Sequence, residues 1–109
     1  MALIVKKFGG SSVGNIDKIK AVAKRILDEK QPDDKIVVVV SAMGDTTDDL
    51  IQLAKGITKD PYQYTREMDM LLTTGEQVSI SLLTMAFKAL GQKAISLTGA
   101  LAGVKTNSV

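Results

Sequence analysis

The sequence contains no cysteine and no histidine among its 109 residues. Without cysteine the chain has no disulfide framework and no thiolate chemistry, and without histidine it lacks the usual general base and the commonest metal ligand of proteins. Any reaction that this chain carries out must therefore use other groups, such as lysine, hydroxyls, carboxylates and backbone N–H groups.

Aromatic residues and long apolar runs are also scarce. Only two tyrosines and two phenylalanines are available to stack on bases, and the net charge of +2 comes from scattered lysines, which argues against a nucleic-acid surface. The apolar residues 2–5 are followed at once by Lys6, far short of a signal-peptide core or a membrane span. We therefore expect no nucleic acid and no membrane as partners, and a cytoplasmic location.

The pattern of apolar residues predicts a single α/β domain, for which 109 residues with 45% hydrophobic content suffice. A short strand at residues 2–5 precedes a helix that Asn15 caps and Gln31–Pro32 ends. Ile36–Val40 has no alternation, which predicts a parallel strand covered on both faces. Further along we predict a helix at 48–57, a polar connector at 58–65, helical residues 67–72 and a loop at 73–77. A second helical stretch with Val78, Leu82, Met85, Ala86 and Ala89 on one face ends at Gly91, and a third strand follows at 94–97.

The stretch "VKKFGGSSVG" at residues 5–14 places Lys7 just before three glycines. Glycines allow the backbone to approach a ligand closely and to turn its N–H groups toward phosphate oxygens. The Walker A motif is excluded because Asn15 and Ile16 follow Gly14 where that motif needs lysine and a hydroxyl residue, and the dinucleotide fingerprint G-x-G-x-x-G does not match either. A glycine turn with a solvated Lys7 is the alternative.

Two more polar segments, at residues 41–48 and 73–77, also combine glycine, hydroxyl and charge. The loops after the first two strands should open on one edge of a parallel sheet, where α/β proteins bind ligands. Taken alone, Thr47 is equally suited to capping the helix at 48–57, and Glu76 to the first turn of a helix, where the dipole favours an acid.

The segments "KFGGSSVG", "VVVVSAMGDTTDDL" and "MLLTTGEQVSISLL" together resemble the amino-terminal part of bacterial aspartate kinases (aspartokinases), which have the amino acid kinase fold. The resemblance implies a three-layer αβα sandwich with a mainly parallel sheet. It also implies that residues 1–109 are the amino-terminal part of a catalytic domain whose remainder, with regulatory ACT domains, is absent from this sequence.

The family uses ATP and Mg²⁺ to phosphorylate the β-carboxylate of L-aspartate, the first step toward lysine, threonine and methionine. By resemblance, Lys7 would stabilise the transferring phosphoryl group, and residues Lys7, Phe8, Gly9 and Gly10 would contact ATP phosphates. Ser41 and Thr47 would hold aspartate, Glu76 would meet its α-amino group, and no metal-binding residue is assigned. An aspartate side chain is already ionised at neutral pH, so the missing histidine is no obstacle.

Two other functions stay open at this point. One is another amino acid kinase, acting on glutamate or acetylglutamate, although "TTGEQVSISLL" is not expected there. The other is a non-catalytic phosphate-binding or interaction module. In either case we expect a homo-oligomer or association with the missing remainder, because a sheet of about three strands leaves an open edge.

Overall fold

Strands and helices alternate along residues 2–97, the part of the chain that the computed structural model describes. The elements are β1 (Leu3–Phe8), α1 (Ile16–Glu29), β2 (Lys35–Val40), α2 (Thr46–Ile57), a 3-10 helix (Pro61–Gln63) and α3 (Thr65–Ala89). The strands are parallel neighbours with a register from Leu3 opposite Lys35 to Phe8 opposite Val40. The predicted α/β class and strand–helix–strand unit are confirmed.

β1 extends three residues beyond its predicted end and includes both lysines. The predicted end was wrong because charge does not stop a strand when the side chains alternate between its two faces. Lys6 points to the side of α1 and donates to Glu29 Oε2 at 2.9 Å, while Arg25 donates to the other oxygen of the same carboxylate. This pairing fastens β1 to the end of α1.

α1 forms as its periodicity predicts. The Asn15 side chain accepts a hydrogen bond from the Lys18 backbone N–H at 2.9 Å, which confirms the predicted cap. The buried residues of the helix are Ile19, Val22, Ala23 and Ile26. They form one core with Val13, Val40 and, from α3, Leu83 and Phe87, and the sheet adds Phe8, Ile36 and Val38.

The other face of the sheet is open in the described part of the chain. Leu3, Val5, Val37 and Val39 are between 45% and 71% exposed. The prediction that β2 is covered on both faces is therefore not met by residues 2–97, whose helices α1 and α3 cover one face only. Ile36–Val40 shows no alternation because its outward-facing residues are apolar as well, and nothing within residues 2–97 covers them.

α3 is one continuous helix of 25 residues and includes the predicted loop at 73–77. That loop prediction was wrong because the hydroxyls of Thr73 and Thr74 donate to the carbonyls of Asp69 and Leu71, which lets both residues stay in a helix. The predicted face of this helix is only partly correct. Leu82 and Ala86 pack against the core, but Val78 and Met85 are more than half exposed, and the buried residues of this stretch are Ser79, Leu83 and Phe87.

Two predictions concern the end of the described chain. Gly91, at φ +85°, ends α3 as predicted, with its N–H and that of Gln92 donating to the carbonyls of Lys88 and Phe87. The third strand, however, is wrong for Ala94–Leu97, which have no regular structure. They line a groove beside β2 without pairing to it, and a strand needs a hydrogen-bonded partner.

The ion pair between β1 and α1 makes a pH-dependent contribution that can be tested. The Lys6 ammonium and, second, the Arg25 guanidinium hold the pKa of the Glu29 carboxyl below its ordinary value. A lowered folded-state pKa stabilises the fold above the unfolded pKa, and this stabilisation is lost as the pH falls through the folded pKa. We expect Glu29→Gln to lower the urea midpoint at pH 7 and to match wild type well below about pH 4.

Asp28→Asn provides the matched control, since Asp28 is an exposed neighbour in α1 with no ion pair inside residues 2–97. Its urea midpoint should follow that of wild type at pH 7. Equal losses in the two variants would show that the pairing of Glu29 contributes nothing specific.

Candidate functional site

The loops that follow β1 and β2 meet at the carboxyl edge of the sheet. The Ser41 N–H donates to the Phe8 carbonyl at 3.1 Å and continues the ladder by one bond. Beyond it, the Gly44 N–H donates to the Gly10 carbonyl at 3.0 Å. The two predicted polar loops are thus held side by side by their backbones.

A third segment, α3, reaches this edge by packing against Ala42. Ala42 is 3% exposed and lies between Gly10 of the first loop and Gly75 of α3. A Cβ atom on Gly10 would stand 2.9 Å from the Ala42 carbonyl oxygen, and one on Gly75 would stand 3.0 Å from the Ala42 Cβ. Gly10 has no positive φ, so proximity alone requires glycine there. This packing places Gly75, the residue before Glu76, against Ala42 of the second loop.

Lys7 and Lys6 lie on opposite faces of β1 and differ in their partners. Lys6 is paired with Glu29, whereas Lys7 is exposed and has no hydrogen bond or ion pair with any residue that the structure describes. Lys7 shares the open face with Leu3 and Val5 and stands one residue before the strand ends. Its ammonium can therefore bind an anion placed over the first loop.

The peptide groups of the first loop are arranged to receive such an anion. The Gly9 carbonyl accepts from the Ser12 N–H at 3.1 Å, and the Gly10 carbonyl accepts from Gly44. The N–H groups of Gly9, Gly10 and Ser11 have no acceptor within residues 2–97. Open space surrounds Gly9, where an added Cβ would meet nothing within 4 Å. Phe8 turns its side chain into the core, so it can face a ligand only through its backbone.

Ser41 and Thr47 are both exposed, and the Ser41 backbone is hydrogen-bonded to Phe8 at the start of this loop. Ser41 directly follows β2, and Thr47 is the second residue of α2. The interpretation of Thr47 as a helix cap is wrong, because α2 begins at Thr46 and Asp45 occupies the cap position. The Thr47 hydroxyl is therefore not needed to cap the helix.

Glu76 lies in the interior of α3, so its interpretation as a first-turn acid is wrong as well. It is exposed and lines a groove of about 680 Å³ between β2, α3 and residues 92–97, together with Val40 and Ile80. A carboxylate at the wall of a mainly apolar groove, next to the end of β2, suits recognition of a cationic group.

The chemistry of the donor set fits the polyphosphate of a nucleotide: one cation and three N–H groups with open space beside them. It does not fit a metal, since residues 2–97 contain no cluster of three or more acidic, histidine or cysteine side chains. The same residues include no helix long and apolar enough to cross a membrane.

Three residues of the site are not among the candidates predicted from the sequence: Ala42, Gly44 and Gly75. Gly44 has φ +47° and supplies the N–H that fixes the first loop, and the "GD" step after an apolar strand is the signal that could have indicated it. Gly75 could be recognised as a close-contact position because a glycine inside a helix is otherwise unfavourable.

Comparisons with known proteins agree on one family. The profile described as "Amino acid kinase family" matches residues 2–109. "Aspartokinase" of Geobacillus stearothermophilus is 56% identical and "Aspartokinase 2" of Bacillus subtilis (strain 168) is 55% identical, each over all 109 residues of this chain. The chain spans 26% of the length of these two proteins.

A solved structure, "Crystal Structure of Aspartate Kinase from Synechocystis", shares the fold with a TM-score of 0.83 and 58% sequence identity. The match covers 90% of this chain and 16% of that one. At this identity the likeness extends to the sequence as well as to the fold.

The packing at Ala42 can be tested by adding one methyl group. A Cβ on Gly75 would stand 3.0 Å from Ala42 Cβ, 3.2 Å from Thr46 Cγ2 and 3.3 Å from Leu50 Cδ1. Such overpacking costs about 1–3 kcal/mol, more than the gain of up to about 1 kcal/mol from replacing glycine in a helix. We expect Gly75→Ala to lower the free energy of unfolding measured with urea.

Gly56→Ala is the matched control, because Gly56 lies in α2 with nothing within 4 Å of an added Cβ. We expect it to raise the free energy of unfolding by up to about 1 kcal/mol. If Gly75→Ala were as stabilising as Gly56→Ala, the close contact at Ala42 would not exist.

Proposed function

Since this chain belongs to the amino acid kinase family, we propose that it is the amino-terminal part of a catalytic domain that transfers the γ-phosphoryl group of ATP to the β-carboxylate of L-aspartate. The observation that carries the proposal is the unpaired Lys7 beside a loop whose N–H groups lack acceptors within residues 2–97. The aspartokinase relatives, each at least 55% identical to this chain, support the choice of aspartate.

In the proposed reaction a β-carboxylate oxygen attacks the γ-phosphorus, and the bond from that phosphorus to the oxygen of the β-phosphate breaks. The products are 4-phospho-L-aspartate and ADP. No proton has to be removed, because the carboxylate is already ionised at neutral pH. Negative charge builds up on the oxygens of the transferring group, and Lys7 with the N–H groups of Gly9 and Gly10 stabilises it.

We propose that aspartate is held by polar groups at the end of β2, the start of α2 and the middle of α3. We assign Ser41 and Thr47 to hydrogen bonds with the substrate, since both residues are exposed, one directly after β2 and the other at the start of α2. We assign Glu76 to the α-amino group, because a carboxylate recognises an ammonium by a charge-assisted hydrogen bond. Residues 2–97 provide no cluster of acidic side chains that could hold Mg²⁺.

The complete protein is proposed to work as a homo-oligomer or in association with further chain that covers the open sheet. Two strands with an exposed apolar face and unpaired edges leave this part of the fold in need of a partner. The relatives, about four times as long as this chain, are consistent with such additional structure.

Lys7→Ala in the complete gene product should lower kcat by on the order of a hundredfold or more, with smaller changes in the KM values, because the ammonium interacts most strongly with the transition state. Production of acyl phosphate from aspartate, trapped with hydroxylamine, measures the rate. Binding of ATP that survives without any transfer in the wild type would favour the non-catalytic phosphate-binding module instead.

Lys6→Ala is a matched control one residue away, since it removes the same charge from the same strand. It breaks the pair with Glu29 and should lower stability while leaving kcat within a few-fold of wild type. If kcat falls equally in both variants, Lys7 has no special role in phosphoryl transfer.

Glu76→Gln should raise the KM for aspartate by about tenfold or more, because it replaces a hydrogen bond between two charged groups with one to a neutral amide. The wild type should reject N-acetyl-aspartate, which lacks the ammonium. Glu67→Gln, another exposed acid of α3, is the control and should leave the KM unchanged. A wild type that accepts both substrates equally would contradict the assignment.

A further inference from the structure

Lys18 reaches back from the first turn of α1 onto the glycine loop. Its Nζ donates to the Ser11 carbonyl at 3.1 Å, and its Cδ lies 3.8 Å from the position that a Cβ on Gly14 would occupy. Its own backbone N–H donates to the Asn15 side chain, which fixes the point from which the side chain departs. The lysine stem therefore lies along the loop while its ammonium holds one of the loop's carbonyl groups.

The Ser11 carbonyl belongs to the Ser11–Ser12 peptide group, which is hydrogen-bonded to the Gly9–Gly10 peptide group and orients it. All peptide bonds in the described chain are trans, so the Ser11 carbonyl and the Ser12 N–H point in opposite directions. The Ser12 N–H donates to the Gly9 carbonyl at 3.1 Å, which is in one plane with the Gly10 N–H. Lys18 is thus linked through two successive peptide planes to the direction of the Gly10 N–H.

A second hydrogen bond orients the neighbouring Gly10–Ser11 peptide group. The Gly44 N–H donates to the Gly10 carbonyl, and this orients the Ser11 N–H in the same way. The N–H groups of Gly10 and Ser11 are two of the three loop N–H groups, with that of Gly9, that have no acceptor inside residues 2–97. Each of these two donors is therefore oriented by a hydrogen bond at the opposite end of a peptide plane.

We propose that Lys18 is a positioning residue for phosphate binding: it holds the Ser11 carbonyl and thereby keeps the Gly10 N–H directed at the polyphosphate. The inference rests on the proposed function as far as the ligand is ATP. Lys18 acts through the loop, because its ammonium is already bound to a backbone carbonyl. Preorganised donors bind an anion more tightly than donors that must first be ordered.

The test compares three variants of the complete gene product. Lys18→Met keeps the stem and removes the donor, Lys18→Arg keeps a donor, and Lys20→Met removes the same charge from an exposed position of the same helix. The dissociation constants of ATP and of inorganic tripolyphosphate are measured by calorimetry, with the KM for aspartate and the urea midpoint of each variant.

We expect Lys18→Met to raise both dissociation constants by roughly three- to tenfold, the worth of one hydrogen bond. The KM for aspartate and the urea midpoint should stay close to wild type. Lys18→Arg should restore binding to within about twofold, and Lys20→Met should bind both ligands as wild type does. An equal effect on both ligands would place the loss at the phosphates and not at the adenine.

The inference is overturned if Lys18→Met binds both ligands as tightly as Lys20→Met, or if its weaker binding is matched by a lower urea midpoint. A wild type that binds ATP without phosphorylating aspartate refutes the proposed function. The role of Lys18 is then still decided by the dissociation constants of Lys18→Met and Lys20→Met. A wild type that binds neither ATP nor tripolyphosphate refutes both.

Discussion

Ala42 contacts both the glycine loop and α3, the two segments that meet at the candidate site. They can approach it this closely only because the residues that face Ala42, Gly10 and Gly75, have no side chain. Gly10 comes so close to the Ala42 carbonyl, and Gly75 so close to the Ala42 methyl group, that neither position has room for a Cβ. Interiors packed this closely transmit a displacement because little free volume absorbs it. The glycine loop, the start of α2 and the middle of α3 are therefore held in fixed positions relative to each other by van der Waals contact.

Side chains alternate along β1, so its two lysines lie on opposite faces of the strand. Lys6 and Lys7 are chemically identical, yet one is paired with Glu29 on the α1 side while the other faces the open side. A cation without a carboxylate partner retains its full attraction for a phosphate, whereas a paired one would first have to give up its partner. At the edge where the glycine loop begins, β1 thus carries one lysine, Lys7, whose side chain has no partner among residues 2–97.

The repeating parts of the fold were predictable from the sequence, and the parts fixed by contact were not. The β1–α1–β2 unit follows from hydrophobic periodicity and from the Asn15 cap, both of which are local signals. The "TTGEQ" segment resembles a loop by composition, but its threonines bond within the helix and Gly75 is needed by Ala42, a neighbour 33 positions away in sequence (75 − 42). The predicted third strand is not formed, because no strand within residues 2–97 pairs with residues 94–97.

The same distinction applies to the candidate site. Lys7 and the glycines carry a local pattern that predicts a phosphate loop, and the family resemblance added Ser41, Thr47 and Glu76 as expected substrate contacts. What no local pattern contains is the support behind the loop: the Gly44 N–H, the Lys18 ammonium and the packing at Ala42. A glycine loop without such support would lose conformational entropy each time it bound a ligand, and this loss would weaken binding. The permissive backbone that lets the loop approach a phosphate is therefore useful only because its neighbours restrict it.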